Sequence, residues 1–427
     1  MSEHQVEQLR IGGTVAPGFE SVKQLFEHNM RTLAEKNAQL CVHVGEERVV
    51  DLWASTTGDT DFNADSLVNV FSSGKSLESI ALASLVAKGL LDYNARITEY
   101  WPEFGAQGKD ELTVADLMRH EAGLAAFNVS LDPEALLKEN IKQNSVGRVI
   151  EGHEQKFRKG DRSRREYHAV TRGWIVNEVF RRVDPQHRTI GEYLHEEVSG
   201  PLGADAVIGV QPQDLHRISA VSPLGFGSYF LASFRPRFMG RKVQENFFQL
   251  SAKLLRLLPA VRHGTTLGAP PPIKDMKIES FNDSAVAMGE TPSANAHCSA
   301  RGLAHIAAAM ASGGKYNGNE VLNAQAWDAM HNSPVKREML GLRTTFTQGG
   351  VAHFSATESK SSKLEHAANL GREGFYGWMG LGGSILQWHP EKKIGFSFVP
   401  TSLHVLDVVN ERGKAYQAEI LKCLESD

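Results

Sequence analysis

The sequence predicts an α+β chain, an α/β sandwich with an antiparallel sheet flanked by terminal helices and a helical domain inserted between its two halves. Three observations carry this. Both ends hold β-prone runs beside an amphipathic helix, the stretch from about 96 to 222 reads as mostly helical, and no apolar run approaches the roughly 20 residues of a bilayer span.

The N-terminal half opens with Phe19, Val22, Leu25, Phe26, Met30 and Leu33 at helical spacing, followed by AQLCVHV and RVVDLWAS as a hairpin around GEE. A short β-prone run, SLVNV, then passes into SSGKSLESIALASLVAKG, whose apolar residues repeat at helical spacing until Gly89. Short capped helices such as TVADLMRH come next, with a longer one at TRGWIVNEVFRRV.

Residues 223 to 263 differ in composition. Seven aromatics, Phe226, Tyr229, Phe230, Phe234, Phe238, Phe247 and Phe248, are mixed with seven Lys or Arg and one acid, Glu245. A lid over an acyl pocket, a membrane-surface patch and a subunit contact all fit this mixture, and a folded cap with solvated arginines is the preferred reading. GAPPPIK then reads as a stiff connector. At the C-terminus GGSILQWHP and KKIGFSFVPT read as strands about a turn, and VLDVVNERGKAYQAEILKCL as an amphipathic helix. The expected division is an α/β domain from residues 1–95 and 276–427, with a helical domain at 96–275 that contains the candidate lid.

Composition narrows the function. A net charge of −4 and a pI near 6.5 carry no basic footprint for nucleic acid. Cys41, Cys298 and Cys423 are widely spaced with no C-x-x-C pair, which disfavours a disulfide framework and a metal site. The first residues hold no continuous apolar core, so a cytoplasmic location is expected. A monomer and a homo-oligomer are both compatible with the sequence.

The chemistry turns on S-x-x-K, a weak motif that occurs three times, at Ser72/Lys75, Ser312/Lys315 and Ser333/Lys336. Ser312 sits in a glycine-rich helix end and Ser333 precedes Pro334, so only Ser72 opens a helix. On a helix i and i+3 share a face, which brings Lys75 to the Ser72 hydroxyl, and the free N–H groups at the helix start favour a developing alkoxide. Serine needs a base to lose its proton, and a desolvated lysine supplies one. Taken alone, Ser72 reads equally well as a helix cap.

Several segments settle that balance. VFSSGKSLESIALASLVAKGLLD, LMRHEAGL, REYHAVTRGW, HCSARGLAHIAAAMASGG and GWMGLGGS resemble, in order, the landmarks of the class C β-lactamase-related serine hydrolases, closest to the family VIII carboxylesterases. The resemblance implies the β-lactamase/transpeptidase-like fold, with Ser72 as nucleophile and Tyr167 sharing a proton with Lys75 as general base and acid. It also implies an oxyanion hole from the backbone N–H groups of Ser72 and Leu381, and a substrate-lining segment Trp378-Met379-Gly380. Ala169 stands where the lactamase pattern has asparagine and Trp378 where it has lysine, which favours a neutral ester over a β-lactam or peptide. His120 and His168 are read as supporting residues, not as the base.

No metal or organic cofactor is expected. The implied activity is a carboxylesterase acting on a small-molecule ester through an acyl-enzyme. An acyltransferase on the same site and a non-catalytic structural relative are the alternatives, with β-lactamase or peptidase activity behind them.

Overall fold

A computed structural model of the chain describes residues 9–157, 165–356 and 361–425. Its organising element is a nine-stranded, wholly antiparallel sheet built from both ends of the chain. In chain order the strands are β1 (Arg10–Val15), β2 (Asn37–Val44), β3 (Glu47–Ser55), β4 (Val335–Met339), β5 (Leu342–Phe346), β6 (Ala352–His353), β7 (Tyr376–Met379), β8 (Ile385–His389) and β9 (Ile394–Pro400). Their spatial order is β1-β3-β2-β9-β8-β7-β6-β5-β4. The halves join where β9 pairs with β2, from Ile394 opposite Val44 to Pro400 opposite Ala38.

Seven helices frame the site and its cap: α1 (Glu20–Thr32), α2 (Lys75–Ala87), α3 (Thr171–Val183), α4 (Phe226–Ser233), α5 (Phe247–Arg262), α6 (Ala300–Ala311) and α7 (Glu411–Glu425). Strand β9 is buried on both faces and so reads as a continuous apolar run. Its Ile394, Phe396 and Phe398 join the core beneath the terminal helices, where Tyr416 of α7 packs at a tilt between Phe26 of α1 and Phe398. Its other face meets the alanine-rich α6. A Cβ on Gly395 would lie 2.4 Å from the Ala308 nitrogen, so only glycine admits that helix so close.

Four strands carry too little sequence signal to be expected. β1, RIGGTV, holds two glycines, and β4 to β6 are short and charged at the sheet's edge, where the apolar alternation that marks a half-buried strand fades. The last helix also starts later than its apolar spacing suggests. Asn410 has φ 56° and Asp407 accepts the N–H groups of Glu411 and Arg412, so residues 405 to 409 form a turn ahead of α7.

Between the halves lie short α and 3-10 segments over a second core that takes in α2, α3 and α6. Residues 223 to 263 fold as two helices, α4 and α5, anchored by Tyr229, Val243 and Leu250. GAPPPIK is held at its end, where Leu131 and Ile273 form a parallel bridge.

Candidate active site

Ser72 lies at the mouth of α2, not inside its first turn. Asn69 Oδ1 accepts the Phe71 N–H at 2.8 Å, and Phe71 takes φ 46°, an uncommon conformation for a bulky residue, which turns the chain sharply. A 3-10 turn, Phe71–Gly74, then leads into the helix. Side chains at i and i+3 eclipse in such a turn, which strengthens the geometric case for a Ser72–Lys75 pair.

Lys75 is fully buried, and its Nζ meets three polar atoms: Ala169 O at 2.7 Å, Ser293 O at 3.0 Å and Ser72 Oγ at 3.2 Å. Burial, reinforced by the nearby Arg172 charge and opposed by Glu78, holds its pKa well below the ordinary lysine value. A neutral amine has two N–H donors and one lone pair. The two carbonyls can only accept, so in the neutral form of Lys75 they take its two N–H groups and its lone pair is left for the Ser72 hydroxyl.

The backbone of that helix is fixed from behind by a buried ion pair. Arg172 at the start of α3 meets Glu78 of α2 at 3.0 Å and also donates to the carbonyls of Lys75, Met118 and Gly350.

Tyr167 closes the site on the other side. Its hydroxyl hydrogen-bonds Ser72 and accepts the Trp378 indole N–H at 2.9 Å, and Lys75 Nζ lies 4.9 Å from its ring centre. Burial raises its pKa, against the lowering effect of those two hydrogen bonds, so the phenol keeps its proton through the neutral range.

Trp378, Met379 and Gly380 run along the exit of β7 beside Ser72. The Trp378 N–H donates to Ser76 Oγ at 3.1 Å, and Ser384 Oγ donates to Val70 O at 2.6 Å, stitching this strand and the turn after it to the segment around Ser72. A Cβ on Gly380 would stand 2.2 Å from Val70 O, so no other residue fits there without moving the serine. Leu381 sits at the rim, 39% exposed. Among the described residues neither its N–H nor that of Ser72 has an acceptor.

His120 and His168 are fully buried behind Tyr167. His168 Nε2 accepts the Leu124 N–H and its Nδ1 faces Glu166 O at 2.6 Å, while His120 Nδ1 accepts the His168 N–H. Burial drives both below the usual histidine range, His168 to about 4, so both are neutral. Neither hydrogen-bonds Ser72. They brace the loop that carries Tyr167.

From Ser72 a cavity of about 220 Å³ runs under the β4–β5 hairpin, walled by Met339, Leu342, Phe354, Ala368, Trp378 and Val409. A second hollow opens on the far side of Tyr167, past Ala169 and Pro270 to Pro272. Leu340 at the hairpin tip borders both. The sequence does not reveal this hairpin, because its apolar residues are scattered among charges. The carbonyls of Ala169 and Ser293 leave no sequence signal at all.

Ser72, the buried Lys75 and the half-buried Tyr167 thus meet at one end of a largely apolar cavity beside the antiparallel sheet. The chain belongs to the beta-lactamase family, whose model matches residues 22–419, and with it to the hydrolases. It is 27% identical over 406 residues to the esterase/beta-lactamase LipL of Mycobacterium tuberculosis, covering 92% of this chain and 83% of that one. Its fold matches a penicillin-binding protein homologue from Caulobacter crescentus and a family VIII carboxylesterase. Each gives a TM-score of 0.73 at 24% identity over 97% of this chain and 100% of the other. Among the described residues no helix is long and apolar enough to cross a membrane, and no cluster of His, Cys, Asp or Glu could hold a metal.

Proposed function

We propose that this protein hydrolyses a carboxylic ester of a small molecule through an acyl-enzyme on Ser72. The observation that carries the reading is the environment of Lys75, a buried amine with two carbonyl acceptors for its N–H groups and its Nζ 3.2 Å from Ser72 Oγ. Lys75 takes the hydroxyl proton as Oγ attacks the ester carbon, and the carbonyl oxygen becomes an oxyanion between the free N–H groups of Ser72 and Leu381. The Tyr167 hydroxyl gives its proton to the leaving alcohol and recovers one through Lys75. Water attacks the acyl-enzyme by the same route in reverse, regenerating Ser72.

The specificity derives from the walls. The acyl part enters the cavity beside Met339 and Phe354, and the alcohol leaves past Ala169. Ala169 offers no side-chain amide and Trp378 no cation, so a substrate amide or carboxylate finds no partner at those positions. Both the LipL and carboxylesterase likenesses support an ester, and the LipL name includes β-lactamase. Nitrocefin turnover is expected to be far below aryl ester turnover. Comparable rates would reverse that ranking, and ester products formed from added alcohols would indicate an acyltransferase.

Tyr167→Phe is expected to lower kcat for a short-chain aryl ester by about 10²- to 10⁴-fold with little change in KM, because the phenolic proton acts in the transition state. Steady-state kinetics on the folded variant checks this, and an unchanged kcat contradicts the role. The pH profile gives a second test. Protonated Lys75 has no lone pair, so kcat/KM rises with pH as the amine is freed, and its burial places that rise well below the ordinary lysine pKa of 10.5. A rise centred near that ordinary value would exclude Lys75 as the buried base.

A further inference from the structure

The cap formed by α4 and α5 folds with its aromatic side outward. Ten of the fifteen large apolar side chains that stand exposed among the described residues lie between 226 and 267. Three of them, Phe226, Phe234 and Phe248, are joined through the half-buried Phe230 and Phe247 into a continuous ladder with ring centres 6.3, 5.2, 4.2 and 5.6 Å apart. Phe238 at 89%, Phe248 at 79% and Leu255 at 71% exposure are the most exposed of these side chains. An apolar surface of this kind on a monomer marks an interaction site.

The charge beside it is one-sided. Residues 223 to 263 hold seven Lys or Arg and one acid, a net +6 in a chain whose net charge is −4. Glu245 is buried in an ion pair with Lys253. The other six cations, Arg235, Arg237, Arg241, Lys242, Arg256 and Arg262, form no ion pair among the described residues. Arg237, Arg241 and Arg256 line one hollow beside α5, whose two carboxylates, Glu245 and Glu411, are each already paired with a lysine. The patch also adjoins the catalytic cleft. The Thr265 hydroxyl bonds Glu166, next to Tyr167, at 2.7 Å, Val261 lines the hollow beyond Ala169, and the hairpin tip at Gly341 packs on the Arg256 carbonyl.

We infer that the outer face of α4 and α5 docks on an anionic lipid surface, setting the mouth of the catalytic cleft against the bilayer so that ester substrate enters from the lipid. Projecting Phe and Leu side chains insert at the headgroup and acyl boundary, and the flanking arginines meet lipid phosphates. A second copy of this chain is a poorer occupant, because a two-fold contact would set this cationic patch against itself. The docking rests on the exposed surface and stands apart from the Ser72 chemistry, so either can fail alone.

Full-length protein is mixed with vesicles of phosphatidylglycerol and phosphatidylcholine, or of phosphatidylcholine alone, and separated by flotation. The expected result is binding to the anionic vesicles, weak binding to the neutral ones, and a fall of at least about tenfold in anionic binding for F248E/L255E. That variant is expected to keep the melting temperature and the turnover of a soluble short-chain ester. Failure of the wild type to float with anionic vesicles, or equal flotation of the variant, would overturn the inference. So would a wild-type dimer in sedimentation equilibrium that the variant breaks without lipid.

Discussion

Ser72→Ala is expected to lower kcat/KM for a short-chain aryl ester by at least about 10⁴-fold, the scale seen when a nucleophile is removed from an otherwise intact serine site. The fold should not register the change. Ser72 caps no helix by its side chain, is not fully buried, and loses only one hydroxyl contact with Lys75 and one with Tyr167. An unchanged melting temperature therefore accompanies the loss. Paired kinetics and thermal melts check both halves, and turnover within tenfold of wild type would remove Ser72 from the mechanism.

Arg172→Met is expected to cost about 3–5 kcal/mol of stability, because it leaves Glu78 as an uncompensated charge in the core. The methionine fills much of the volume, but the carbonyls of Met118 and Gly350 lose the Arg172 donor, and that of Lys75 keeps only the Ser79 hydroxyl among its side-chain donors. The Lys75 carbonyl belongs to the turn that carries the proposed base, so residual activity should fall further than the folded fraction does. A urea titration measures the first effect and active-site titration of the folded fraction the second. A shift under about 1 kcal/mol would mean that the pair is dispensable.

Much of the fold and the site is legible in the chain. The hairpin at 37–55 and the strand at 394–400 have strong apolar signals because both sheet faces are covered, and the Ser72 turn stands out by opening a buried helix. Edge strands 335–346 give little signal because their side chains are charged and half solvated, and with them goes one wall of the cavity beside Ser72. The roles of Ala169 and Ser293 depend on backbone carbonyls, which residue identity does not encode. The composition of the cap suggests a folded unit with solvated arginines. It is folded, but the aromatics share its outer face, an orientation that composition alone does not define.

The most direct test of the central claim is the site of the covalent intermediate. Protein is mixed with an activated short-chain ester, quenched in acid during turnover, digested and examined by mass spectrometry. The account predicts one acyl group on the peptide containing Ser72, at the serine, with none in the Ser72→Ala protein. Steady turnover with no adduct, or an adduct on another residue, would contradict it.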